Sequence, residues 1–368
     1  QTMEQPMSDP LFNSIKIGAF TAPNRALMAP MTRGRAQPDG TPTPIMATYY
    51  RQRAGAGAII TEATSISVQG RGWVNAPGIY TDAHVEHWKP VTDAVHAEGG
   101  HILMQLWHMG RVSHPDFQID GALPVAPSAI AAEGEAHTPA GKKAYVVPRA
   151  LNADELPGIV GDYVAAAERA VAAGFDGVEI HGANGYLLDQ FIRDGSNQRE
   201  DAFGGSVENR WRFPLQVVEA VASAIGADRT GIRLSPTGKA GSMSDSDPAA
   251  TFAYGAEQLD KLGIAFVHVV DPLPGHMMGN DDADPVHPLL RRTFSRTLIL
   301  NGGYEAQSAR EALEVGLADA IAFGVPFLAN PDLAQRLQKG AQERNTPDFQ
   351  TLYSPGEQGY TDYPPLNG

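Results

Sequence analysis

The chain contains no cysteine. That absence removes disulfides, thiolate metal sites and cysteine nucleophiles together. Positive charge is also scarce: 28 lysines and arginines face 42 carboxylates, a formal net charge of -14. Such a balance argues against nucleic acid or an anionic membrane as partner, while leaving room for a local basic pocket. No apolar run reaches the length of a membrane span. The opening QTMEQPMSDP lacks the apolar stretch of a signal peptide, so the expected location is the cytoplasm. Gln1 and Thr2 read as a cloning remnant ahead of Met3, and residues 1–10 as a loose leader to one domain over 11–368.

What is present is a globular balance, 42% hydrophobic over 368 residues. About eight β-like runs recur: 25–31, 58–64, 101–107, 175–181, 230–236, 265–270, 297–303 and 318–324. Amphipathic helical patterns separate most of them, at 84–98, 154–173, 207–225, 249–262 and 305–316, with a last one from about Asp332 and a first around 44–54. Alternation of this kind calls for a parallel sheet, and eight units favour the closed (β/α)₈ TIM barrel. A bare barrel needs about 250 residues. The surplus falls on strand-to-helix connections at 112–153, 187–206 and 271–292, which build the mouth where such barrels place their sites. The segment SIKIGAFTAPN (14–24) is expected to form a hairpin closing the opposite end.

Strand parity then sorts the side chains. Ile102, Met104 and Leu106 form a greasy row suited to the helix side, as do Val178 with Ile180 and Ile232 with Leu234. That turns Gln105, His181 and Arg233 into the barrel near its C-terminal end. Singly, Arg233 reads as an ion-pair member, Gln105 as a satisfied core amide, Trp107 as packing, and Asn184 as a turn residue. Their convergence on one level points to a bound polar ligand, because such groups are costly to bury unpaired. The runs ending in Asn301, Gly302 and Gly303 and in Gly324 add a candidate phosphate site.

The ordered motifs LFNSIKIGAFTAPNRALMAPMTRGRA, QLWHMGR, HGANGYLLDQFIRD, FGGSVENRWRF, IRLSP, NGGY, FGVPFLANPDL and GYTDYP resemble the old yellow enzyme family of FMN-dependent, NAD(P)H-driven ene-reductases, nearly end to end. The resemblance implies a role for each residue. Thr32 would bond the flavin C4 oxygen, Gln105 its pyrimidine edge, and Arg233 the N1/O2 edge where charge accumulates on reduction. Backbone of Pro30, Met31, Ala63, Asn301, Gly302, Gly303, Gly324 and Val325 would wrap ring and phosphate. His181 and Asn184 would hold the carbonyl oxygen of an activated alkene, a small-molecule substrate, and Tyr186 would protonate its α-carbon. Trp107 and Tyr353 would shape the substrate pocket. NADPH or NADH would reduce the flavin first.

Val325 departs from the family pattern, which carries arginine there. Thr32 with the His/Asn pair resembles the enone-reducing branch more than the His/His branch linked to nitro-ester reduction. A metal-dependent hydrolase using His101, His108, His114, His181 and Glu179 is the rival reading, although only one carboxylate stands at ligand spacing; no metal is expected. A non-catalytic binding scaffold is the third reading. A homo-oligomer is compatible with all of them.

Overall fold

The computed structural model describes residues 8–366. Eight parallel strands close into a barrel in chain order: β1 (Ala26–Met28), β2 (Ile59–Ser65), β3 (Ile102–Trp107), β4 (Gly177–Gly182), β5 (Thr230–Leu234), β6 (Phe266–Val270), β7 (Thr297–Asn301) and β8 (Ala320–Phe323). Closure comes from β8 pairing with β1, Phe323 opposite Met28. All eight runs read from the sequence are strands, shifted at their ends by a few residues.

The alternation of side chains along the strands is kept in three dimensions. Ile102, Met104, Leu106, Val178, Ile180, Ile232 and Leu234 join the large outer core with helix residues such as Tyr163, Trp211 and Val217. Leu27, Ile60, Leu103, Phe266 and Ile299 form a second, inner cluster that also contains Ile17 and Ala22. Those last two belong to the antiparallel hairpin Ile15–Ile17/Phe20–Ala22, which seals the N-terminal end as expected. Sealing one end leaves the opposite mouth as the route inward.

The outer helices are α1 (Pro44–Gln52), α2 (Asp82–Ala97), α3 (Leu156–Ala172), α4 (Val207–Ile225), α5 (Pro248–Leu262), α6 (His287–Thr293), α7 (Ala306–Glu314) and α8 (Leu333–Gln338). Pro44 sits at the first position of α1, where its missing N–H costs nothing. Ser206 caps α4, its Oγ accepting from Asn209 N at 3.1 Å.

Two expected loops carry more structure than their sequences suggest. The 187–206 stretch begins with a helix, Leu187–Ile192, whose residues are all buried. A helix hidden on every side has no amphipathic period to betray it. The 271–292 stretch ends in α6, started by Asp271, whose carboxylate accepts from Val286 N, His287 N and His287 Nδ1 at 2.8, 2.9 and 2.7 Å. The third insertion, 112–153, holds an antiparallel hairpin, Glu135–Thr138 with Gly141–Ala144. Of the expected leader, residues 1–7 lie outside the described residues. Asp9 is fixed, pairing with Arg310 at 2.7 Å. No helix among the described residues is long and apolar enough to cross a membrane.

Candidate active site

Register places the polar residues of the mouth side by side. His181 on β4 is opposite Arg233 on β5, which is opposite His268 on β6. Gln105 on β3 faces both Glu179 of β4 and Ala63 of β2. Trp107 ends β3 one turn of the pleat above Gln105. A buried ring of two imidazoles, an amide, a carboxylate and a guanidinium therefore lines one end of the barrel.

Arg233 donates from Nη2 to Asn301 Oδ1 at 2.7 Å, and Asn301 passes its own Nδ2 to Ala322 O at 2.8 Å. The Asn301 side chain is thus occupied in steadying the guanidinium. Burial lowers the Arg233 pKa, against the pull of the Glu179 carboxylate. Its Nε has no partner among the described residues, and neither has Trp107 Nε1. Unmet donors buried at a mouth are costly within the protein alone, and a polar ligand relieves them.

Above this level stands the strand-to-helix turn 182–186. His181 Nδ1 accepts from Ala183 N at 3.3 Å, so the ring proton sits on Nε2. Burial, with the Arg233 cation and His268 nearby, holds the His181 pKa well below that of a free imidazole. The ring is neutral and offers a single N–H, at Nε2. Asn184 takes a left-handed backbone (φ 57°), held by its N–H donating to Ser235 Oγ at 2.7 Å. Asp189 accepts from Gly185 N at 2.9 Å, and Gln190 Nε2 donates to Gly185 O at 2.7 Å. The strained turn is therefore over-determined by neighbours, as such geometry requires.

Tyr186 meets His181 edge-on at a ring separation of 4.8 Å and Trp107 at 5.1 Å. Burial, with Tyr145 and Tyr353 nearby, raises its phenol pKa, so it holds its proton throughout the physiological range. Tyr353 lies farther out, 44% exposed, against Trp73 at 5.0 Å.

The ends of the other strands complete the rim. Pro30, Met31 and Thr32 follow β1, and a Cβ on Gly324 would lie 3.6 Å from Met31 Sδ. Gly302 (φ 127°) has no room for a Cβ, which would come 2.6 Å from Pro272 Cα. Gly303 is exposed beside it, and Val325 is 41% exposed.

Tyr353 is held in place by residues that carry no local mark of that role in the sequence. Arg33 donates from Nη2 to Gly359 O at 2.6 Å and from Nε to Leu352 O at 3.1 Å, and Arg35 Nη1 also reaches Leu352 O at 2.7 Å. The Arg33 and Arg53 guanidiniums lie over the Tyr49 ring, which stacks on Tyr360 at 4.1 Å. MTRGRA thus ties the strap 349–364 over the mouth.

Beneath the strap, Tyr50 donates to Glu62 Oε2 at 2.6 Å while Oε1 has no partner among the described residues. Burial raises the Glu62 pKa to about 7, outweighing Tyr50 and Arg33. Between its ordinary value of 4.5 and about 7, the folded chain keeps a proton the unfolded chain has released. The stability from this group is therefore full below the unfolded value and lost as pH rises through that window. Glu62→Gln is expected to gain thermal stability over the parent as pH rises from 5 to 8, up to about 3 kcal/mol. Melting curves at several pH values check this; a difference that does not change with pH refutes it.

The His101, His108, His114 and His181 set does not form a metal site. Among the described residues, no three His, Cys, Asp or Glu side chains come together in a metal-holding group. Glu179, the carboxylate of that reading, is bonded to Gln105 and His268 instead.

At the open end of the barrel, Arg233 Nε and Trp107 Nε1 are buried donors that a polar ligand can meet. Residues 10–344 match the profile of the NADH:flavin oxidoreductase / NADH oxidase family. The old yellow enzyme homologue from Zymomonas mobilis is 50% identical, with a TM-score of 0.94 over 97% of this chain and 99% of that one. Morphinone reductase, solved in complex with tetrahydroNAD, is 48% identical, with a TM-score of 0.91 over 97% of each chain. Chanoclavine-I aldehyde reductase of Penicillium roqueforti is 46% identical over 96% of this chain and 95% of its own length. 12-oxophytodienoate reductase 1 of Oryza sativa is 43% identical over 96% and 93%. The chain belongs to the old yellow enzyme family of FMN oxidoreductases, and is an NAD(P)H-dependent enzyme.

Proposed function

We propose that the protein is an ene-reductase, saturating the C=C bond of an α,β-unsaturated carbonyl compound at the expense of NADPH or NADH. The observation that carries this reading is the His181–Tyr186 pair. A neutral imidazole bears its proton on Nε2, and a protonated phenol packs against it, above the level of Arg233. Aldehyde and oxo-compound reductases among the relatives support a carbonyl-bearing substrate.

The residues present fit FMN. Arg233 Nε and Trp107 Nε1 are buried donors awaiting a partner, and Gln105 on β3 and Thr32 after β1 stand to either side of β2. Backbone at Pro30, Met31, Ala63, Gly302, Gly303, Gly324 and Val325 would hold the ring and phosphate. When bound, FMN accepts hydride from the nicotinamide and delivers hydride to the alkene β-carbon. Arg233 would stabilise the negative charge of the reduced form.

The remaining chemistry belongs to the chain. The Nε2–H of His181 and the Asn184 side chain would donate to the substrate carbonyl oxygen. Both strengthen as that oxygen gains charge, in the manner of an oxyanion hole. The Tyr186 hydroxyl would place its proton on the α-carbon. A phenol with a raised pKa remains protonated yet can still protonate a strongly basic enolate carbon. Trp107 and Tyr353 would wall the substrate in and exclude water.

The test is direct. Purified protein loaded with FMN is expected to bleach anaerobically with NADPH and to regain its colour with cyclohexenone. Protein that takes up no FMN, or that is reduced but never reoxidised by any conjugated carbonyl compound, overturns the reading.

Val325 has its own consequence. Without an arginine there, a charge-assisted contact to the phosphate is missing. Val325→Arg, at a half-exposed position, is expected to slow FMN release about fivefold, roughly 1 kcal/mol. Flavin fluorescence after dilution measures it, and unchanged retention refutes it.

A further inference from the structure

Behind Gln105 and Arg233 lies a buried pair that the proposed chemistry leaves idle. Glu179 on β4 is wholly buried and divides its carboxylate between two neighbours. Gln105 Nε2 donates to Oε1 at 2.8 Å, and His268 Nδ1 to Oε2 at 2.7 Å. A carboxylate only accepts, so it settles the orientation of both partners. Gln105 must turn its nitrogen toward Glu179 and present its carbonyl pole elsewhere. His268 must carry its proton on Nδ1.

Charge adds a second strand to the argument. Arg233 is buried on the neighbouring strand, and Glu179 is the anionic side chain acting on it. The other groups facing Arg233, namely Asn301, His181, His268 and Tyr186, offer no negative charge: the first is an amide, the imidazoles are neutral by burial and the phenol keeps its proton. Two buried charges of opposite sign offset each other far more strongly than they would in water.

We propose that Glu179 is a positioning residue for the flavin: it fixes the amide pole that Gln105 offers and offsets the Arg233 cation, so setting the reduction potential of the bound cofactor. This rests on the FMN reading above. Glu179→Gln keeps volume and removes the charge, leaving the cation less compensated and the reduced flavin favoured.

Wild-type and variant holoproteins are titrated anaerobically against redox dyes. E179Q is expected to raise the ratio of reduced- to oxidised-FMN affinity about tenfold, an upward shift of about 30 mV for a two-electron couple. Glu179→Asp, which retains the charge, is expected to stay within about threefold of wild type. An E179Q potential equal to wild type overturns the proposal. His268→Leu is the second arm, decisive where E179Q fails to fold. Without the His268 donor the carboxylate is free to turn away from Gln105 and Arg233, so the potential is expected to move the same way by about threefold. No movement there overturns the proposal equally. Wild-type protein that binds no FMN sinks the cofactor reading itself, and so is told apart from a flavin that binds but ignores Glu179.

Discussion

Tyr186→Phe is expected to slow enone reduction by roughly 10²–10⁴-fold, the usual contribution of a positioned proton donor. Reduction of the bound flavin by NADPH should continue at the parent rate. The substitution removes one oxygen and leaves the ring against Trp107 and His181, so the pocket's shape survives. The two half-reactions differ in what they need. Hydride transfer from nicotinamide needs no proton at an α-carbon, whereas alkene saturation does. Stopped-flow absorbance separates the two, and an equal fall in both removes Tyr186 from the donor role.

His181→Leu comes next, with an expected loss of about 10²–10³ in kcat for enone turnover, the scale for one oxyanion-hole donor. Leucine fills the volume but cannot meet the carbonyl oxygen. Because burial and the Arg233 cation hold the imidazole neutral, the parent's donor strength should not change as pH falls through the ordinary histidine range. A parent enzyme whose rate for the alkene half-reaction titrates near pH 6.5 contradicts the neutral-donor assignment. So does a His181→Leu enzyme within a few-fold of the parent.

Much of this arrangement was legible in the chain. Each barrel strand announced itself as a short apolar run between helical patterns, and period-two parity placed Gln105, His181 and Arg233 on the inner face. His268 obeys the same parity one strand along, but a histidine between valines carries no local mark of function. Its meaning appears only when Glu179 comes within 2.7 Å from β4. Glu179 stands in the sequence as a lone carboxylate, a ligand only in the rival metal reading, because spacing along a strand says nothing of what the next strand brings. The helix Leu187–Ile192 was hidden for another reason: buried all round, it lacks the polar face that gives a helix its period. The strap was hardest of all. Arg33 and Leu352 are 319 positions apart, and no local pattern links them.

That long reach has a consequence for how the enzyme comes into being. The Arg33 guanidinium finds its carbonyl partners at Leu352 and Gly359, whereas that of Arg53 is met by Tyr49, Phe327 and Leu328 as well as Tyr360. Until residues 352–359 fold back over the mouth, the Arg33 cation lacks its carbonyl partners and Tyr353 cannot stand at its post. The outer wall of the pocket is therefore a closure between segments far apart in the chain, expected to form late in folding rather than with the local elements.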